Sequence, residues 1–376
     1  MRIAVNTRLL LKGKLEGIGW FTYESFKLIV RSHPEHEFFF IFDRKFDKEF
    51  IFSDNVTPIV VGPPARHPIL HFIWYEISIP RILKKIKPDI FISPDSYLSL
   101  SSKYPDLIVI HDLNFEHFPE HMPWLSRKYY KYFTPRFAKK SKRIATVSEF
   151  SKSDIAEKYN IDPGKIDVVY NGAGEKFKPV SDFEKKNIKQ KYSAGCDYFV
   201  FVGALNPRKN LSNIFKAFDS FKSAYQTEIK FVVVGEKMYW SNEIKSTYEK
   251  LQHKDDVIFA GRLEQDDLCK VVGAAIALVY PSIFEGFGIP IIEAFNAEVP
   301  VITSNITSMP EIAGDAALLV DPSNVEQIAT AMHKISHNSA FANSLIEKGK
   351  AQRIKFSWEI TSENVWRSIE KVILNG

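Results

Sequence analysis

The chain has 376 residues, 45% of them hydrophobic and 25% charged, with 17 Gly and 20 Pro. At roughly 100 to 200 residues per domain this predicts two domains with cores of ordinary size and excludes collagen-like, coiled-coil and disordered classes. Two cysteines, Cys196 and Cys269, exclude a disulfide scaffold and fit a reducing compartment. The longest apolar run, Val271 to Tyr280, is about half of the ~20 residues a membrane-spanning helix requires, and Met1 to Val5 reads as a strand rather than a secretory signal. A cytoplasmic location is therefore expected.

Short β-branched or aromatic runs alternate with amphipathic stretches along the whole chain, the pattern of parallel sheets covered by helices. The first series of strands is predicted at Arg2 to Asn6, Glu37 to Asp43, Pro58 to Val61, Asp89 to Ser93, Asp106 to Ile110, Arg143 to Val147 and Ile166 to Tyr170. A helix should begin near Gly17 and another at Ser148, which offers a capping hydroxyl. After the lysine-rich stretch Lys178 to Gly195, a second series runs through Tyr198 to Gly203, Lys230 to Gly235, Val257 to Gly261, Ile276 to Tyr280, Val299 to Thr303 and Ala317 to Val320. The expected division is therefore an N-terminal domain at 1–180, a C-terminal domain at 181–355 and a terminal helix at 356–376. That helix carries Trp358, Val365, Trp366, Ile369 and Val372 at near-helical spacing and must bury its apolar face.

The net charge of +5 is unevenly distributed: residues 1–180 hold 28 cations against 21 acids, and residues 181–376 hold 22 against 24. The densest basic stretch, Arg127 to Arg143, contains no acid. Its Arg127, Lys128 and Lys131, interleaved with Trp124, Tyr129, Tyr130 and Tyr132, suit an anionic membrane surface or an acceptor phosphate, although a solvated helix face explains them equally. No nucleic-acid recognition fold surrounds the stretch, so nucleic acid is not expected as a partner.

Two loops between a strand and a helix carry the strongest chemical signals. In Gly203-Ala-Leu-Asn-Pro-Arg-Lys-Asn210, adjacent Arg208 and Lys209 precede a helix start at Asn210, which suits a diphosphate; taken alone, the segment also suits a turn that merely caps a helix. No G-x-G-x-x-G follows Gly203, which disfavours a dinucleotide enzyme. In Pro281-Ser-Ile-Phe-Glu-Gly-Phe-Gly-Ile-Pro-Ile-Ile-Glu293, glycines allow close backbone approach, the Gly288 and Ile289 amides would face an anion, and Pro290 fits the first helical position. Glu285 and Glu293 are acceptors suited to sugar hydroxyls. Glu311, three residues after Ser308, is predicted to complete a capping box. The cluster His111, Asp112, Glu116, His117, Glu120 and His121 is set aside as a zinc site, because Pro119 interrupts any helix there and the H-E-x-x-H order is missing.

Glu285-x7-Glu293 with Phe287-Gly288-x-Pro290, preceded by Pro207-Arg208-Lys209-Asn210, resembles the retaining glycosyltransferases of family 4. Gly17-Ile-Gly19, Ile110-His111-Asp112, Thr146 to Ser151, Val168 to Gly172 and Pro310-Glu311-x-x-Gly314 follow in the family's order, so the resemblance spans nearly the whole chain. It implies the GT-B α/β fold: two facing Rossmann-like, doubly wound domains with a cleft between them and a terminal helix crossing back to the first. Residue by residue, it implies that Arg208 and Lys209 meet the donor diphosphate and Glu293 the ribose hydroxyls. Glu285 would contact the transferred sugar beside Phe287, Gly288 and Ile289, with His111 near its reacting face and the Gly17–Gly19 loop closing on the phosphates. Two departures stand out. Ala204 replaces the arginine that some members carry there, leaving Arg262 as a further candidate near the nucleotide unless it is only an exposed turn residue, and Phe295-Asn-Ala-Glu298 replaces a small-residue turn.

The expected activity is transfer of a hexose, mannose favoured, from a nucleotide diphosphate sugar to a glycan or lipid-linked acceptor in surface polysaccharide synthesis. The expected course is retaining, with no cofactor and no metal, on a cytoplasmic protein peripheral at the inner face of the membrane. A nucleotide-sugar epimerase of the same fold and a non-catalytic nucleotide-sugar binding protein are the alternatives.

Overall fold

The computed structural model describes residues 1–236 and 240–374. Two compact units divide the chain: Met1–Asn171 with Trp358–Gly376, and Gly172–Ser357. The break after Asn171 falls ahead of the expected boundary at 180, because Val180 packs inside the second unit, where a Cβ on Gly273 would lie 2.3 Å from its Cγ2.

The first unit holds seven parallel strands, β1 (Arg2–Asn6), β2 (Glu37–Phe42), β3 (Val56–Val60), β4 (Ile90–Ser93), β5 (Asp106–Val109), β6 (Arg143–Thr146) and β7 (Ile166–Val168), in the order 3-2-1-4-5-6-7. The second holds six, β8 (Tyr198–Val202), β9 (Lys230–Val234), β10 (Val257–Gly261), β11 (Ala277–Tyr280), β12 (Val301–Ser304) and β13 (Leu318–Val320), in the order 10-9-8-11-12-13. Central strands such as Tyr-Phe-Val-Phe-Val of β8 are buried along their whole length, as both faces of a parallel sheet are covered by helices. The expected strands match within a few residues. β3 begins at Val56 rather than Pro58, and an edge position lets Pro58 sit inside a strand without breaking a ladder.

In the first unit one face of the sheet is covered by the helix Gly17–Ser32 and the terminal helix Trp358–Leu374, whose Trp358, Val365, Trp366, Ile369 and Val372 join a core with Phe21, Phe26, Ile29 and Phe40. The other face is covered by the helices Ile79–Ile86, Trp124–Lys140 and Glu149–Tyr159. Ser148 caps the last of these as expected, its Oγ accepting from Ser151 N at 3.0 Å.

Candidate active site

Strand order reverses between β8 and β11 in the second unit, and the carboxyl ends flanking such a reversal are where open α/β sheets bind ligands. The two loops singled out by sequence leave these two strands. They are stitched together: Ile283 N donates to Arg208 O at 2.8 Å, Arg208 Nη1 to Phe284 O at 3.1 Å and Asn210 Nδ2 to Pro281 O at 3.0 Å. Asn210, expected to cap the following helix, makes no cap with its side chain; it has φ +65° and uses its amide to hold Pro281 O and Pro322 O instead.

Within this frame Glu285 is buried and bridges both cations, with Lys209 Nζ at 2.5 Å from Oε1 and Arg208 Nη1 at 2.8 Å from Oε2. Lys209 also donates to the Tyr280 hydroxyl, which itself donates to Glu285 Oε1 at 3.2 Å. Burial works to raise the Glu285 carboxyl, but Arg208 and Lys209 outweigh it and hold the group down at about 2. The three side chains therefore present one net positive charge with the cations fixed in place. Tyr280 was not singled out from the sequence, where it reads as the last residue of a buried strand.

Gly288 has φ +103° and caps the helix Ile289–Asn296, and a Cβ there would lie 2.7 Å from Met309 Cε, so both conformation and space call for glycine. Pro290 occupies the first turn, one residue later than expected. Phe287 is buried, edge-on to Phe356 at 5.7 Å. The Ser308 side chain makes no cap on the helix Met309–Ala313; its Oγ donates to Glu285 O at 2.9 Å and lies 3.2 Å from Phe287 O, tying down the glycine-bearing loop. Glu293, half-buried on the helix, is pushed up to about 8 by burial. Arg262 follows β10, at the sheet edge two strands from β8, and pairs with Glu236 at 3.7 Å on a half-exposed surface.

Gly17, Gly19 and His111 belong to the first unit. Gly17 opens its helix, and a Cβ on Gly19 would crowd Leu9 O at 3.1 Å. His111, two residues past β5's end at Val109, places Nε2 2.9 Å from Pro94 O and its ring edge-on to Phe21 at 5.0 Å. Burial lowers its pKa, keeping the imidazole neutral near pH 7.

The basic stretch divides by role. Lys140 pairs with Asp106 at 2.5 Å and Arg143 pairs with Asp167, so its far end is structural. Arg127, Lys128 and Lys131 instead line a groove of about 910 Å³ between Trp124–Lys140 and Pro68–Ile73, together with Ile69, Phe72 and Leu125. Among the described residues, His33, Glu35 and His36 bring three ligand-type atoms within 4.8 Å of one another; both imidazoles also stack on Trp366, the first at 3.5 Å.

Two parallel Rossmann-like units, the second with a dicationic loop and a glycine-opened helix at its strand-order reversal, give the fold and the diphosphate-suited site expected of a GT-B glycosyltransferase. Two family models match: "Glycosyl transferases group 1" over residues 182–352 and "Glycosyltransferase Family 4" over residues 28–174. O-antigen chain mannosyltransferase B of Escherichia coli is 29% identical over 299 residues, covering 78% of each chain. O-antigen chain mannosyltransferase RfbU of Salmonella typhimurium is 31% identical over 240 residues, covering 61% of this chain and 63% of its own. The crystal structure of a glycosyltransferase from Rickettsia africae shares the fold, with a TM-score of 0.74 at 18% identity over 100% of this chain and 99% of that one. The chain belongs to glycosyltransferase family 4.

Proposed function

We propose that the protein transfers a mannosyl group from a nucleotide diphosphate sugar, GDP-mannose favoured, to a glycan or lipid-linked acceptor in surface polysaccharide synthesis. The similarity to two O-antigen mannosyltransferases supports the sugar and the process. The observation that carries the chemistry is the Arg208–Lys209–Glu285 cluster at the reversal between β8 and β11. As the sugar–phosphate bond breaks, negative charge grows on the departing diphosphate, and cations already fixed by a carboxylate stabilise it without reorganising. The glycine-opened helix start at Gly288, in the loop that follows β11, adds backbone amides suited to an anion. In this reading His111 lines the sugar's reacting face, and Glu293 accepts hydroxyls of the ribose.

The course follows retention by same-face attack, the leaving phosphate oxygen taking the acceptor proton, and runs without a divalent metal. Arg127, Lys128 and Lys131 bring the first unit to an anionic membrane surface at the inner face, where the groove they line meets apolar chains. No described helix is long and apolar enough to cross a membrane.

The test is a turnover assay with GDP-mannose as donor. Lys209→Ala is expected to lose about 10²- to 10³-fold in kcat while the wild type keeps full activity after chelation and yields the α-anomeric product by NMR. An inverted anomer, or activity lost on chelation and restored by a divalent ion, overturns the corresponding part of the proposal.

A further inference from the structure

In the first unit strand order reverses between β1 and β4, and a buried polar network spans that reversal. Arg8, two residues past β1, is paired through Nε with Asp95 Oδ2, two residues past β4, and both side chains are almost wholly buried. Tyr75 donates to the same Asp95 oxygen at 2.8 Å, Ser93 Oγ donates to Oδ1 at 3.1 Å, and Asn6 Nδ2 donates to Tyr75 at 2.8 Å and to Ser93 at 3.1 Å. The guanidinium also donates to Ala65 O at 3.1 Å and lies 4.9 Å from the Tyr97 ring centre. Neither charge belongs to the donor chemistry, and a buried ion pair of this kind is weak evidence for added stability, so its worth here is sought in the geometry it holds.

What it specifies is the loop Ser93-Pro94-Asp95-Ser96. Asp95 is held by three side chains, and Ser96, at φ +68°, ties the loop's other end to β5, its N and Oγ both donating to Val109 O at 3.0 and 3.2 Å. Between the end of β4 at Ser93 and the anchored Asp95 lies buried Pro94, whose carbonyl is 2.9 Å from His111 Nε2. A carbonyl only accepts, so Nε2 carries the hydrogen and Nδ1 of the neutral ring is left as the acceptor.

We propose that Arg8, through Asp95 and the Pro94 carbonyl, is a positioning residue that fixes the orientation and tautomer of His111. This rests on the reading of His111 as a residue of the reacting site. Arg8 itself does not touch the substrate.

The test uses the full chain labelled with 15N-histidine, the His111 signal among ten histidines being assigned by its loss in His111→Gln. Wild type is expected to show His111 protonated at Nε2. Arg8→Met is expected to give a mixture of tautomers, with kcat on GDP-mannose falling by up to about 10²-fold at unchanged donor KM. Arg8→Lys keeps a cation beside Asp95 and is expected to restore the single tautomer. Because Arg8→Met strands a buried carboxylate, Arg8→Met/Asp95→Asn is read beside it and carries the same expectation. A pure Nε2–H signal and wild-type kcat in a folded Arg8→Met or double-variant chain overturn the proposal. Wild-type kcat in His111→Gln overturns the reading of His111 instead, and the tautomer readout on Arg8 still decides the positioning claim.

Discussion

Glu285 and Glu293 lie eight positions apart on one loop and helix, yet their surroundings push them in opposite directions. Glu285, clamped by two cations, is held at about 2; Glu293, burial its governing influence, is raised to about 8. Both shifts link to stability. Glu285 binds protons less readily folded than unfolded, so its contribution is complete above about pH 4.5 and is lost as pH falls towards 2. Glu293 has the reverse sign. The folded chain keeps a proton that the unfolded chain has released between about pH 4.5 and 8, so its contribution is present below that window and is lost as pH rises through it. An ionised carboxylate is also the better partner for sugar hydroxyls, because it only accepts. Donor binding at pH 7 should therefore expel a proton from Glu293. Calorimetric titration of GDP-mannose in buffers of different ionisation enthalpy is expected to report release approaching one proton, and Glu293→Gln to abolish it; an identical heat in every buffer for wild type contradicts the assignment of Glu293.

Among the elements, the terminal helix Trp358–Leu374 shows how a segment remote in sequence completes a core. Trp366 stacks on His33 at 3.5 Å with an interplanar angle of 14°, its Nε1 donating to Glu370 at 3.0 Å, while Val365, Ile369 and Val372 are buried beside the helix Gly17–Ser32. Truncation of a buried indole leaves a cavity, so Trp366→Ala is expected to cost about 3 to 5 kcal/mol, read as a lowered midpoint in urea; a change within experimental error means that the helix does not support this core. The apolar face of this helix was legible from spacing alone, as were the strands, because doubly covered parallel strands are continuous apolar runs. What was not legible depended on partners far along the chain. Ser308 sits where a capping serine belongs, and only the fold reveals that its hydroxyl instead reaches Glu285 O and Phe287 O. Asn210 likewise serves Pro281 and Pro322. Arg8 and Asp95 are 87 positions apart, and nothing local in either marks a pair. Arg208, Lys209 and Glu285 were legible as candidates; that Glu285 clamps both cations was not.

For the molecule as a whole, the uneven charge has acquired locations. The nearly neutral second unit places two cations against one buried acid at the end of its sheet. The basic first unit spends part of its excess on internal pairs such as Lys140–Asp106 and leaves Arg127, Lys128 and Lys131 around an apolar groove. Charge attraction to anionic lipid falls with salt, whereas apolar burial does not. Binding to anionic vesicles is accordingly expected to weaken but persist as salt rises, to weaken further in Arg127→Gln/Lys128→Gln/Lys131→Gln, and to lose its salt-resistant part in Phe72→Ser/Leu125→Ser. Equal binding by all three chains contradicts this surface. The central claim concerns the donor, and a binding panel of GDP-, UDP-, ADP- and dTDP-sugars tests it most directly, with wild type compared with Glu293→Ala. The account predicts that GDP-mannose binds wild type most tightly and Glu293→Ala at least about tenfold more weakly, the loss of roughly 1.4 kcal/mol expected when a charged hydrogen bond is removed. Absence of binding by every nucleotide sugar, or equal affinity in the two chains, contradicts it.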